Sequence, residues 1–377
     1  MNKKIRVAVI FGGRSAEHEV SLVSATSVIG ALDPQKYEII PVGITREGRW
    51  ICHPDALQML KTDRIPLKLK VLLQPDPTED NKLVSQFSKQ DVSSAQSDEK
   101  FDVIFPVLHG TYGEDGAIQG LFELMDVPYV GAGVLGSSVA MDKVVQKRLF
   151  RSVGLPVVNF LSYNISADPL KDDQEIAKIE TELAYPIFVK PTNMGSSVGI
   201  NKAHNRQELK EWIRVAFEYD RKIILEESVA NAREIEVSVL GNENPRTSVP
   251  GEVIPSGEFY DYDSKYVDDA SKLEIPAKLP ADIISKIQKI AVEGYSLIGC
   301  EGMARVDFLL GKDNVYISEI NSIPGFTAIS MYPKLWGASG LSYPHLLDEL
   351  IRLAVERHQQ KLKLKRVFDQ DSDWYKK

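Results

Sequence analysis

Cysteine is scarce: Cys52 and Cys300 are the only two, far apart and without C-x-x-C spacing. That excludes a disulfide framework and a zinc pattern, and leaves two buried reduced thiols of the kind found in cytosolic proteins. Long apolar runs are also missing. No stretch approaches the about 20 residues of a membrane-spanning helix. The run Val7-Ala8-Val9-Ile10-Phe11 behind Met1-Asn2-Lys3-Lys4 is too short for a signal segment. Positive charge is not in excess: 45 Lys and Arg stand against 53 Asp and Glu, a formal net charge of −8. Nucleic acid and anionic membrane surfaces are therefore poor candidates for a main partner, and a cytoplasmic chain is expected. Two nucleotide-binding signatures are absent as well. Gly12-Gly13 does not make G-x-G-x-x-G, and Gly43-Ile44-Thr45 ends the next strand without an acidic partner for a ribose. Lys190 precedes its glycine-rich loop instead of following it, so there is no Walker A loop.

What is present is ordinary globular protein. The 377 residues are 43% hydrophobic and 26% charged, enough for two or three domains with sizeable cores. The chain opens on a strand–glycine turn–helix–strand unit: a β-branched strand over 5–11, a helix over 20–32 stopped by Asp33-Pro34, and a strand over 37–45. Residues 73–100 turn polar and read as an exposed insertion or mobile loop without a role in chemistry. Another buried strand, 101–108, ends in His109-Gly110-Thr111-Tyr112-Gly113-Glu114-Asp115-Gly116. The carboxyl end of a parallel strand is where α/β sheets place ligand contacts, although a lone His is as readily a structural hydrogen-bonder. A helix over 118–125 and a short strand over 127–130 follow.

Met141-Asp142-Lys143 begins a further helix that runs through Phe150, and a domain boundary falls near it. The strand over 185–191 delivers Lys190 ahead of Thr192-Asn193-Met194-Gly195-Ser196-Ser197-Val198-Gly199. Small residues let backbone N–H groups approach phosphate oxygens, and Ser196 and Ser197 add hydroxyl donors. A flexible hairpin loop has the same composition. Helices are expected over 207–217, 281–298 and 343–360, and strands over 222–227 and 233–240. The loop 257–267, rich in Tyr and Asp, suits a lid or a plain surface loop.

The most informative stretch is 302–326. Val306, Phe308 and Leu310 alternate with Arg305, Asp307 and Leu309, then Gly311-Lys312-Asp313-Asn314 supplies turn chemistry and an apolar strand returns over 315–320. Strand side chains alternate between faces, so a hairpin closed at this turn projects Asp307, Glu319 and Asn321 toward one spot. Three hard oxygen donors suit Mg²⁺ when phosphates and water complete its shell, with Arg305 a fixed cation beside them. Solvated polar positions on a half-exposed hairpin are the plain alternative for any one of these residues.

These segments together resemble the ATP-grasp fold, and more closely the D-alanine–D-alanine ligase family. The residues that carry the resemblance are FGGRSAEHEVSL (11–22), HGTYGEDG (109–116), MDK (141–143), FVKPTNMGSSVG (188–199), FYDYDSKY (259–266) and GMARVDF with SEINSIPGFT (302–327). The resemblance spans residues 4 to about 358 and leaves out only 73–100. It implies an α/β chain: an N-terminal parallel α/β domain (1–140), then a two-subdomain ATP-grasp fold (141–231 and 232–366) and a tail (367–377). It implies ATP-dependent joining of two D-alanines through an acyl phosphate, for peptidoglycan precursors. Mg²⁺, with Mn²⁺ as a substitute, K⁺ and a homodimer are implied as well.

The resemblance implies a role for each matched residue. Lys143 and Lys190 hold the ATP phosphates with the Ser196-Ser197 loop, and Lys265 reaches the γ-phosphate. Asp307, Glu319 and Asn321 bind two Mg²⁺, with Glu319 bridging. Arg305 and the Gly325 N–H stabilise the oxyanion. Glu19 pairs with the first D-alanine's ammonium, His109 lies near its carboxylate, and Ser196 and Tyr266 join Glu19 in closing the lid. Ser330 contacts the second D-alanine's carboxylate. Glu226, Glu227 and Val229 form the adenine-side hinge, and Glu234 bonds the ribose. Glu227 stands where many relatives place Lys, so its adenine contact is through backbone or an altered side-chain bond. Relatives that use D-lactate lack a Tyr in the lid loop, so Tyr266 favours an amine acceptor, with D-serine left open. Another carboxylate–amine ligase and a non-catalytic nucleotide binder are the competing readings.

Overall fold

A computed structural model describes residues 3–66, 69, 71–73, 75–78, 82–85, 99–254, 272–312, 314–327 and 329–365. The opening βαβ unit becomes a four-stranded sheet in the order Trp50–Cys52, Tyr37–Ile44, Ile5–Gly12, Val103–Val107. The last three are parallel, with Val7 opposite both Ile39 and Val103. Residues 7–11 are buried throughout because both faces of the sheet are covered, which is why the strand reads as an unbroken apolar run. Val7, Val9 and Phe11 pack on one side against helices His18–Ala31 and Tyr343–Leu362. Ala8 and Ile10 pack on the other against Ile118 and Phe122 of helix Ala117–Leu124.

A second, antiparallel sheet has the order Asn201–Ala203, Ile187–Pro191, Lys222–Glu227, Phe160–Asn164, backed by helices Asp173–Glu182 and Arg206–Tyr219. The third runs Lys272–Glu274, Gly251–Ile254, Arg233–Gly241, Gly302–Leu310, Val315–Asn321, with Arg246–Thr247 paired beside Arg233–Gly241. Helix Ala281–Leu297 covers one face of this sheet with Ile287, Ile290, Ala291 and Tyr295 against Ile235, Val237, Val306 and Phe308. The opposite face packs Val253 against Met331 and Leu335 at one part and is left for charge around Arg305 and Asp307.

Two expectations need correcting. Residues 73–100 are not one structureless insertion: Val71–Leu73, Lys82–Ser85 and Glu99–Lys100 form a small antiparallel sheet. The strand over 127–130 reduces to one parallel bridge between Tyr129 and Ile104. Helix Val134–Met141 follows the Gly131-Ala132-Gly133 loop, where a helix is expected, and helix Met331–Ala338 is additional. Pro333 looks like a breaker, but it sits in the first turn, where its missing N–H removes no bond from the helix. Among the described residues, no helix is long and apolar enough to cross a membrane.

The C-terminal helix is bolted to the first sheet. Its buried Arg357 donates to the carbonyls of Gly131 (2.6 Å) and Tyr129 (2.9 Å), and Asp348 accepts from Lys36 (2.7 Å) and Tyr37 (2.8 Å). Arg357→Met keeps the bulk but strands two buried carbonyls. It is expected to cost about 2–3 kcal/mol in denaturant unfolding, whereas Arg352→Met, on the exposed side of the same helix, stays within about 0.5 kcal/mol.

Candidate active site

The charged face of the third sheet is set by strand register. Asp307 lies opposite Glu319 and Arg305 opposite Asn321 across the hairpin, and on the other edge Asp307 lies opposite Glu236. A bulge between Asp307 and Phe308 bends the strand here, as bulges near functional sites commonly do. Arg305 makes a two-pronged pair with Asp307, Nε to Oδ1 and Nη2 to Oδ2, both 2.7 Å. Asn321 Nδ2 donates to the same Oδ2 at 3.0 Å, and Glu236 Oε2 lies 3.0 Å from Arg305 Nε. Burial works against the guanidinium's charge, but Asp307 and Glu236 outweigh it and hold its pKa well above the usual arginine value. Glu236 is a residue the sequence reading missed; the strand's alternation with Glu234 was the available signal.

The lysines arrive from other elements. Asp142 caps helix Lys143–Ser152 by accepting from the N–H groups of Val144 and Val145, and Gln146 accepts from the Ile320 N–H at 2.9 Å. That pins the helix to the hairpin. Lys143 Nζ then lies 3.1 Å from Glu319 Oε2 and donates to the Met194 carbonyl at 3.0 Å, tying hairpin and glycine-rich loop together. Lys190 Nζ sits 2.6 Å from Glu226 Oε2, and Lys147, also missed, lies 2.9 Å from Glu226 Oε1.

The first domain contributes Glu17. Its buried carboxylate accepts from Ser196 Oγ, and a Cβ placed on either Gly110 or Gly195 would lie 2.6 Å from its Oε2. Both loops therefore close on it without side chains in the way. Ser196 and Ser197 hold φ of 49° and 60°, a left-handed turn that aims the Ser196 hydroxyl back at the first domain. Glu19 is placed differently from the expectation: it is exposed and ion-paired with Arg46. Two residues apart at a helix start, the two side chains cannot face the same way. Glu17, not Glu19, meets Ser196.

His109 is buried, with Nε2 3.0 Å from Ser24 Oγ and Nδ1 3.2 Å from the Ile323 carbonyl; burial lowers its pKa. Glu114, missed at first, accepts from the N–H groups of Gly110 (2.7 Å) and Ile323 (3.2 Å). Burial, then the nearby Glu17 charge, push its carboxyl up to about 8 against those bonds. Gly325 and Ser330 lie together, since a Cβ on Gly325 would meet Ser330 Oγ at 2.9 Å. That hydroxyl is already 3.1 Å from the Thr327 N–H and 2.7 Å from its Oγ1. Glu227 donates its N–H to the Asn159 carbonyl at 3.0 Å, and Asn159 Nδ2 lies 3.4 Å from its carboxylate. Val229 faces Gly311, and Glu234 pairs in register with Leu309 and Val253. Lys265 and Tyr266 lie outside the described residues.

The donor set fits a hard divalent cation. Among the described residues no group of three His, Cys, Asp or Glu makes a cage, so Asp307 and Glu319 would need the Asn321 amide as third ligand. Their oxygens already face cationic or amide N–H groups of Arg305, Lys143 and Asn321, as a place built for positive charge requires. The whole constellation has two anionic clusters, 307/319/236 and 226, each held by cations; the Ser24–His109 contact is a Ser–His pair in distance only, since the Ser24 side chain is fully buried and closed to a ligand. The constellation is suited to binding and neutralising a polyanion beside a small zwitterion held at Glu17.

Comparison with known proteins bears on which polyanion and which zwitterion. Residues 6–132 match the family model described as D-ala D-ala ligase N-terminus, and residues 149–352 match D-ala D-ala ligase C-terminus. A D-alanine–D-alanine ligase of Natranaerobius thermophilus is 50% identical over 362 residues, covering 95% of this chain and 97% of the relative. One from Acetivibrio thermocellus is 46% identical over 375 residues, 96% and 99% covered. Among solved structures, the D-alanine–D-alanine ligase of Coxiella burnetii superposes with a TM-score of 0.80 at 34% identity, covering 96% of each chain. The VanG D-Ala:D-Ser ligase of Enterococcus faecalis gives 0.81 at 35%, covering 93% of this chain and 100% of that one. Matched in both halves and along nearly its full length, the chain belongs to the D-alanine–D-alanine ligase family.

Proposed function

We infer that this chain uses ATP to join two D-alanines into D-alanyl-D-alanine for peptidoglycan precursors. The observation that carries the reading is the Glu17–Ser196 bond on a loop that Lys143 ties, through the Met194 carbonyl, to Glu319 of the hairpin, so that the three larger sheets meet there. A carboxylate must be made electrophilic before an amine can displace anything from it. Transfer of the γ-phosphoryl group to the first D-alanine's carboxylate releases ADP and gives an acyl phosphate. The second D-alanine's deprotonated amine attacks that carbonyl, and phosphate leaves as the peptide bond forms. Negative charge accumulates in both steps, so cations and donors serve better than a covalent nucleophile.

In this reading Lys143 and Lys190 take the triphosphate with the N–H groups and hydroxyls of the 195–197 loop. Asp307, Glu319 and Asn321 hold Mg²⁺, which when bound neutralises the transferred phosphoryl group. Arg305 and the Gly325 N–H meet the oxyanion, Ser330 the second substrate's carboxylate, and the backbone around Glu227 and Val229 the adenine, with Glu234 at the ribose. Glu17 replaces Glu19 as the anion for the first ammonium, because it is the one joined to Ser196. Mn²⁺ as substitute, K⁺, the lid residues Lys265 and Tyr266, and a homodimer belong to the same proposal and rest on the family resemblance.

Phosphate release with Mg²⁺-ATP is expected to require D-alanine, and with D-alanine, D-serine and D-lactate competing, D-alanyl-D-alanine should be the main product by mass spectrometry. A predominance of D-alanyl-D-serine, or no dipeptide at all, would refute the substrate assignment.

Glu17→Gln should raise KM for the first D-alanine about 10- to 100-fold, the value of a charge-assisted bond, while Glu19→Gln stays within about twofold in steady-state kinetics. The reverse order would return the role to Glu19.

Glu114 gives a pH test. Its folded pKa of about 8 lies above the ordinary 4.5, so the native state keeps a proton that the unfolded chain loses. The contribution is full below about pH 4.5 and gone above about 8. Glu114→Gln should therefore gain stability relative to the parent as pH rises from 5 to 8, by at most about 5 kcal/mol. A difference in unfolding free energy that stays flat across that window would show the carboxyl to be ionised throughout.

A further inference from the structure

We propose that Lys147 is a positioning residue for nucleotide binding: through the shared carboxylate of Glu226 it sets where the Lys190 ammonium stands and keeps it available to a triphosphate. The proposal rests on the reading of Lys190 as a phosphate-binding lysine. Lys147 is 2% exposed, four residues after Lys143 and hence on the same face of helix Lys143–Ser152. Lys143 reaches the hairpin carboxylate Glu319, while Lys147 turns to the central sheet and places its ammonium 2.9 Å from Glu226 Oε1. The other oxygen of that carboxylate is 2.6 Å from Lys190 Nζ. Glu226 and Lys190 reach this point from neighbouring antiparallel strands, Glu226 opposite Phe188 and Lys190 opposite Ile224.

A buried ion pair placed only for stability is a poor device, because desolvating both charges offsets most of their attraction. The arrangement makes more sense as division of one negative charge between two cations. Burial would raise the Glu226 pKa, but Lys147 and Lys190 bring it down to about 2, so the carboxylate stays charged. Burial lowers the Lys147 pKa, with Glu226 opposing. With Lys147 neutral, the whole of that negative charge would fall on Lys190, drawing it into a closed pair and away from a ligand. With Lys147 charged, Lys190 is anchored by one oxygen and keeps its other N–H groups for phosphate.

Lys147→Gln keeps a donor for Glu226 but removes the charge, and Lys147→Arg keeps the charge. In calorimetric titration with adenylyl imidodiphosphate and Mg²⁺, Lys147→Gln is expected to bind about tenfold more weakly, with Lys147→Arg within about threefold of the parent. In turnover, KM for ATP rises while KM for D-alanine holds. Glu226→Gln and the double variant Lys147→Met/Glu226→Gln, which spares Lys147 from standing as a buried charge without its carboxylate, should bind the analogue equally, since Lys147 acts only through Glu226. Unchanged affinity in Lys147→Gln overturns the proposal whatever happens to its melting temperature, and so does a further loss in the double variant. Normal analogue binding by the parent without D-alanine-dependent turnover would sink the substrate reading and leave this test intact. No binding by the parent would overturn both.

Discussion

The register of one strand carries the site. Gly302–Leu310 pairs on both sides in the charged part of the third sheet, with Arg233–Gly241 at one edge and Val315–Asn321 at the other. Val306 and Phe308 go into the core under helix Ala281–Leu297, so Arg305 and Asp307 must face the other way. A slip of one residue would bury the guanidinium and expose the core, at a cost no local gain could offset. The same period places Glu236 on that face, and the bulge, which leaves Ser318 unpaired between Ile317 and Glu319, turns Glu319 and Asn321 to it while Ile317 and Ile320 stay in the core. Hydrophobic packing on one side of the sheet thus fixes the electrostatics on the other, and the site needs no separate scaffold.

Charge compensation is the second constraint. Arg305, Lys143, Lys147 and Lys190 are all largely withdrawn from water, and each stands against a carboxylate: Asp307 with Glu236, Glu319, and Glu226 shared by two lysines. Burying such groups singly would cost several kcal/mol apiece, so the unliganded protein holds them in internal pairs. A triphosphate with its cation can replace those internal partners without exposing any group to an uncompensated field. Ligand binding then becomes an exchange of ion pairs, which suits a site that must release ADP and phosphate after each turnover.

The hairpin was legible because an alternating strand has only two faces and the polar residues occupied one of them. The parallel sheet was legible from its continuous β-branched runs, and Lys190 from its place ahead of a glycine-rich loop. Glu17 was not. Glu17 and Glu19 differ only in which side of a helix start they take, and that phase is set by packing of Val20, Leu22 and Ala25 in the core, not by the motif itself. Lys147 was hidden for a similar reason: a Lys on an amphipathic helix reads as solvent-facing until the partner carboxylate on a strand nearly eighty residues later is known. Glu114 lay within a quoted motif, but only the Ile323 N–H, over two hundred residues on, gives it a function in the structure.

Glycines decide how the separate parts meet. At Gly110 and Gly195 two loops from different sheets come so close to the Glu17 carboxylate that any side chain would occupy the position of its oxygen. Gly110 has φ of 71°, so it is held by backbone conformation as well as by space, whereas at Gly195 only the close approach requires it. The contact between first and central sheets therefore runs through backbone and one carboxylate, with the Ser196 hydroxyl as the link. A junction of that kind is small, polar and easily separated, in contrast to the Arg357 anchor that fastens the C-terminal helix to the first sheet. The firm contact fastens the C-terminal helix to the first sheet, and the lighter one joins the first domain to the loop that follows Lys190, which Lys143 also holds through the Met194 carbonyl. A ligase must exclude water from an acyl phosphate, and two loops closing on one carboxylate with no side chain between them leave little room for it.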